Sequence, residues 1–123
     1  MSERASRSEI RRRYREEGTP MGVFAIRNTA NGKVLVGWAK NLPGALNSHR
    51  FQLRLGSHRN RELQREWNEL GEACFAFEVL DELEPSRGVG EDYADDLAAL
   101  EALWLEKLRP YGDAGYHRAP PGA

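Results

Sequence analysis

Between Met21 and Trp38 the chain runs in two short apolar stretches, Met21 to Arg27 and Lys33 to Trp38, divided by Asn28-Thr29-Ala30-Asn31-Gly32. Both stretches are rich in β-branched and aromatic side chains, which suit a pleated, half-buried surface. Asn31-Gly32 offers the positive φ angles of a tight reversal, so a β-hairpin is predicted. The period then changes from two to about 3.6. Leu42, Leu46, His49 and Leu53 follow at helical spacing behind Asn41, a capping side chain, and Pro43, a first-turn residue; Gly56 closes this helix after Leu55. Asn60 caps a second helix, carried by Leu63, Trp67 and Leu70 and ended at Gly71. Phe75, Phe77 and Val79 alternate with Ala76, Glu78 and Leu80 as a third strand. After a polar loop from Glu84 to Asp92, the stripe Leu97, Leu100, Trp104 and Leu108 marks a last helix from about Tyr93 to Leu108, stopped by Pro110. The predicted order is hairpin, helix, helix, strand, helix.

The ends read differently. Ser2 to Glu17 is polar and Arg-rich, with Ile10 and Tyr14 as its only apolar i, i+4 pair, enough for a frayed helix and too little for a core one. Its Arg11, Arg12 and Arg13 fit either a solubilising tail or a phosphate-contacting arm. Gly112 to Ala123 is too rich in Gly and Pro for regular structure. The division expected is an arm over residues 1–20, one domain over residues 21–118 and a flexible tail over residues 119–123. A length of 123 residues suits one core and one site. No apolar stretch approaches the roughly 20 residues of a bilayer helix, and no hydrophobic leader opens the chain, so a cytoplasmic protein without a membrane partner is expected. Cys74 is the single cysteine and reads as a small core residue; with only three histidines to help it, a structural metal is not expected.

Composition adds an asymmetry that the net charge of −1 conceals. Residues 1–66 hold 14 Lys or Arg against 6 Asp or Glu, whereas residues 67–123 hold 4 against 13. A basic half hints at a nucleic-acid face. Fifteen of the 18 basic residues are Arg, suited to bidentate phosphate contacts, although a GC-rich genome gives the same bias. Phosphate-loop, dinucleotide, serine-hydrolase and zinc-protease motifs are all missing from the sequence, and no small-molecule cofactor is expected.

Glu101 breaks the pattern of the last helix. At i+4 from Leu97 and i−3 from Trp104 it lies on the apolar face, where a carboxylate needs an Arg, a metal ion or a backbone donor. His49 shares the stripe of the first helix, and a histidine there is either a hydrogen-bonded core residue or a catalyst. Ser57-His58-Arg59-Asn60 places a titratable ring, a cation and a cap at a helix N-terminus, which attracts phosphate but is also ordinary turn chemistry.

The run Gly22-Val23-Phe24, through the turn to Leu35-Val36-Gly37, resembles the opening of the GIY-YIG nuclease family, where two short motifs begin and end a hairpin at this spacing. The likeness continues through Ala39-Lys40-Asn41-Leu42, His49, Ser57-His58, Leu63-Gln64, Trp67-Asn68, Gly71, the third strand, Leu100-Glu101 with Trp104, and Gly115-Tyr116. It covers about residues 21–118. The resemblance implies an α+β fold with a small three-stranded antiparallel sheet flanked by helices, and hydrolysis of nucleic-acid phosphodiesters, DNA more than RNA, with one Mg²⁺ or Mn²⁺. Glu101 matches the family's metal-binding glutamate. Phe24 stands where the family has the tyrosine that orients or activates water, Leu35 where it has a second tyrosine, and His117 where it commonly has Asn. The family's first-helix arginine falls at Ala45, with Arg50 further along. Four of five positions have thus changed, which leaves two readings: a nuclease with Glu101 on the metal and His49, His58 or Tyr116 replacing the lost phenol, or a degenerate domain that binds nucleic acid or protein. Arg27, Lys40, Arg50, Arg54 and Arg59 are the expected nucleic-acid contacts.

Overall fold

The computed structural model describes residues 19–88 and 91–119; the arm through residue 18 and the last tail residues lie outside them. β1 (Gly22–Asn28) and β2 (Val34–Ala39) form the hairpin, followed by α1 (Leu42–Leu55), α2 (Arg61–Leu70), a 3-10 turn (Glu72–Cys74), β3 (Phe75–Glu82), α3 (Ala94–Leu108) and a second 3-10 turn (Gly112–Ala114). The three strands are antiparallel in the order β2-β1-β3, so the first strand is central. This is the α+β architecture that the sequence predicts.

The hairpin closes by a different route from the expected one. Gly32 takes φ +80°, but Asn31 stays at negative φ. Asn28 and Asn31 instead brace the turn through their side-chain oxygens, which accept from the Ala30 and Lys33 amides, each at 2.9 Å. The helix caps are as predicted. Asn41 accepts from the Gly44 N–H and Asn60 from the Leu63 N–H, while Gly56 ends α1 in the left-handed region at φ +78°.

Two cores form, one on each face of the sheet. Ile26 packs with Leu53 of α1, Leu63 and Trp67 of α2, Phe75 and Tyr116. On the other face Met21, Tyr93 and Leu97 pack with Trp38 and Leu83. Each fully buried Leu or Ile among them contributes roughly 1.5–3 kcal/mol by leaving water. Three stripe residues, Leu70, Val79 and Leu108, are exposed. The register shift lies beyond Val79, between the Phe24–Val79 and Val23–Asp81 pairs, so Val79 keeps step with Phe75 and Phe77 and is exposed at the end of their row.

The tail is a second correction. Residues 111–117 are not irregular, because β2 is an edge strand and its open backbone recruits them. Gly115 bridges Val34, the Tyr116 N–H donates to the Val34 carbonyl at 3.1 Å, and the His117 ring accepts from the Val36 N–H at 2.8 Å. Gly115 itself packs so close to Pro110 that a β-carbon would lie 2.2 Å from the Pro110 oxygen. No described helix is long and apolar enough to cross a membrane.

Candidate active site

At the outer edge of β2 both faces of the sheet open into one hollow of about 540 Å³. β1 and β2 build its floor from Phe24, Leu35, Gly37 and Trp38. α1 contributes His49, one turn before the fully buried Leu53, so the core contact that anchors the helix also fixes the direction of this ring. The α1–α2 loop adds His58 and Arg59, α3 adds Glu101, and the edge-binding tail adds His117. Phe24, Leu35, His49, His58, Arg59, Glu101 and His117, dispersed over 94 positions of sequence, therefore line one cavity.

The histidines are linked. His49 Nδ1 lies 2.8 Å from His58 Nε2, and His58 Nδ1 accepts from the Asn60 N–H at 3.0 Å. Burial, the neighbouring His58 and the Arg59 cation lower the pKa of His49 to about 4. Burial likewise lowers His58 and His117, so all three rings are neutral at pH 7. Phe24 is 3% exposed, its ring centroid 5.1 Å from that of His49. At this position the wall is apolar and has no proton to exchange.

Glu101 is half-buried and makes no ion pair with any described residue. Burial raises its pKa, and the Trp38 backbone N–H works weakly the other way. A desolvated carboxylate with one backbone donor is under-compensated, and a divalent cation would supply the missing charge. No cluster of three His, Cys, Asp or Glu capable of holding a metal occurs among the described residues. Mg²⁺ keeps most of its waters and takes one or two carboxylates plus phosphate oxygens, so a single protein carboxylate is chemistry it accepts. Glu101 fits an ion of that kind.

The five expected phosphate contacts divide. Arg27 pairs with Glu78 across the strands, and Arg54 forms a fork on Glu72 with nitrogens at 2.8 and 2.6 Å. Arg50 lies over the Phe77 ring and 3.9 Å from the same Glu72, and Lys40 is 3.6 Å from Asp92. Arg59 alone of the five lines the hollow, and it makes no ion pair among the described residues. Ala45, where the family's arginine falls, lies outside the lining as well.

Tyr116 does not replace the lost phenol. Its hydroxyl donates to Glu66 Oε1 at 2.7 Å on the far side of the hairpin, and burial together with that carboxylate raises its pKa. Glu66 is the residue that sequence reasoning missed. It is buried, yet Oε1 also accepts from Asn28 and Asn31 at 2.9 and 3.1 Å, and Oε2 faces Lys33 Nζ at 3.0 Å. Burial pushes its pKa up, but the donors from Tyr116, Lys33, Asn31 and Asn28 prevail and hold it at about 2. This network holds Tyr116, and Asn60 Nδ2 holds the Tyr116 carbonyl at 3.0 Å, so the adjacent His117 is delivered to the hollow from both sides.

No family model matches the chain. The chain is 33% identical over 88 residues, 71% of its length, to intron-associated endonuclease 1 of Enterobacteria phage T4, and spans about a third (32%) of that protein. Its fold matches the solved catalytic domain of the homing endonuclease I-TevI with a TM-score of 0.66 and 31% identity, over 81% of this chain and 99% of that one. A glutamate-to-alanine mutant of the same catalytic domain matches with a TM-score of 0.61 and 28% identity, over 74% and 86% of the two chains.

Proposed function

The chain belongs to the GIY-YIG nuclease family, and from that premise we propose that its residues 21–118 form a slow nuclease domain hydrolysing phosphodiesters, DNA before RNA, with one Mg²⁺ or Mn²⁺ at Glu101. The observation that carries this reading is the half-buried Glu101 carboxylate, without an ionic partner among the described residues, in the same hollow as Arg59 and His49. A bound divalent ion supplies Lewis acidity and lowers the pKa of a bound water. Glu101 would hold it, and Arg59, which lines the same hollow, would contact a phosphate oxygen. Slowness follows from Phe24: a positioned base is worth roughly 10² to 10⁴ in rate, and this side chain has no hydroxyl.

A second reading, a retired domain that binds nucleic acid or a protein without cutting, is favoured by one observation. Phe24 is closed off between Gly37 and the His49 ring, and Leu35 continues the apolar floor, so the tyrosine positions have become packing. The two readings part on cleavage of supercoiled plasmid, single-stranded DNA and RNA with Mg²⁺, Mn²⁺ or EDTA, beside Glu101→Ala. Slow cleavage that needs the metal and disappears in Glu101→Ala is expected. Binding without cleavage selects the second reading, and cleavage that survives Glu101→Ala overturns the first.

A further inference from the structure

The proton positions in the hollow follow from two backbone amides. An amide N–H can only donate, so His58 Nδ1, which faces the Asn60 N–H at 3.0 Å, must be a bare lone pair. The proton of neutral His58 is then on Nε2. That nitrogen lies 2.8 Å from His49 Nδ1, which must in turn accept, leaving the His49 proton on Nε2. The opposite arrangement would set His58 Nδ1–H against the Asn60 N–H, and so would a cationic His58. His117 is fixed the same way: Nε2 accepts from the Val36 N–H at 2.8 Å, so its proton is on Nδ1. His49 Nε2 has no partner among the described residues. Because no buried side-chain nitrogen or oxygen there lacks one, this N–H reaches the water of the hollow.

We infer that the hollow presents protons rather than lone pairs: His49, oriented by His58 and the Asn60 amide, acts as a hydrogen-bond donor to an anionic phosphate oxygen, and no histidine of the site serves as a general base. The choice of a phosphate oxygen rests on the nuclease reading, whereas the proton placement does not. Arg59 stands beside the same rings, so a cation neighbours the neutral N–H of His49, with the Glu101 carboxylate as the acidic counterpart. In this arrangement His58 is a positioning residue. It touches no ligand, and its part is to keep a lone pair off the exposed nitrogen of His49.

The test reads the protons directly. In the full-length chain labelled with ¹⁵N, imidazole nitrogen shifts at pH 7 distinguish protonated from bare nitrogens. The expected pattern is protonated Nε2 in His49 and His58 and protonated Nδ1 in His117; a bare Nε2 in His49 overturns the inference whatever the protein does to DNA. Titration with inorganic phosphate and then with a DNA duplex should move the His49 Nε2–H signal while it stays protonated; an unmoved signal overturns the donor role. Substitution separates donor from base. Glutamine keeps an N–H near Nε2 but cannot take a proton, so His49→Gln should retain several-fold more duplex affinity, and more of any cleavage rate, than His49→Ala. His49→Ala should lose on the order of 10² in any cleavage rate and weaken the duplex. A His49→Gln rate as low as that of His49→Ala would restore the base.

Discussion

Phe24 and Gly37 stand face to face across β1 and β2, so close that a β-carbon on Gly37 would lie 2.6 Å from the end of the Phe24 ring. The glycine is there for space, and its φ is unremarkable. Gly37→Ala must push the ring toward His49, whose centroid is 5.1 Å away, or force the strands apart. Overpacking of this kind costs roughly 1–3 kcal/mol. The expected outcome is a lower urea midpoint with an unchanged m-value, since the unfolded surface is the same. Gly37→Ala with wild-type stability would show that the ring yields freely.

Glu66 predicts acid sensitivity. In the fold its pKa is about 2 against an ordinary 4.5, so the folded state holds the charged form more strongly than the unfolded chain does. Its contribution is complete above pH 4.5 and is lost as pH falls from there toward 2. Glu66→Gln leaves Lys33 without its buried partner and sets an amide N–H against donors, a loss of about 3 kcal/mol at pH 7. Chemical denaturation of both proteins across pH 2–5 should show the wild type losing stability through that window and the variant changing less. Parallel curves would refute the network's role.

The contrast between Glu101 and Glu66 explains how far sequence reading reaches. Glu101 is visible because it interrupts an apolar stripe on its own helix, a comparison that needs only neighbours three and four residues away. Glu66 shows no such conflict. It sits beside Trp67 on a polar helix, and its burial depends on Asn28, Asn31, Lys33 and Tyr116, between 33 and 50 positions distant. Caps are similarly local, so Asn41, Gly56 and Asn60 could be placed from sequence. The strap over β2 could not: His117 owes its place to an unpaired amide of Val36, 81 residues earlier, which exists only because β2 became an edge. Leu70 and Val79 carry the reverse lesson, since periodicity marks them apolar while packing leaves them exposed.

The three neutral histidines set a second pH window. His49 titrates near 4 in the fold and near 6.5 when unfolded, and burial lowers His58 and His117 as well. Below pH 6.5 the unfolded chain takes up protons first, so stability is full above 6.5 and declines as pH falls toward 4. For His49, half-buried, the discounted share is on the order of 1 kcal/mol. Thermal melts of the wild type and His49→Gln between pH 7 and 4.5 should converge as pH falls, because the variant has no proton to gain at that site. A constant gap would place the His49 pKa near its ordinary value.

Arg59 and Arg54 give the sharpest contrast among the basic residues. Both are exposed arginines near the histidines in sequence, but Arg54 is held in a fork on Glu72 while Arg59 lines the hollow with no acidic partner among the described residues. A cation already neutralised by a carboxylate releases little counterion when DNA arrives, whereas an unpaired one that meets a phosphate releases nearly a full ion. Arg59→Ala should therefore weaken duplex binding several-fold at low salt and lower the slope of log affinity against log salt by about one. Arg54→Ala should change that slope little and show its effect instead in the loss of the solvent-screened α1 contact with Glu72. Fluorescence anisotropy of a labelled duplex over a salt series measures both slopes. If Arg54→Ala lowers the slope and Arg59→Ala leaves it intact, nucleic acid lies along the outer face of α1 and the hollow is not where its backbone is gripped.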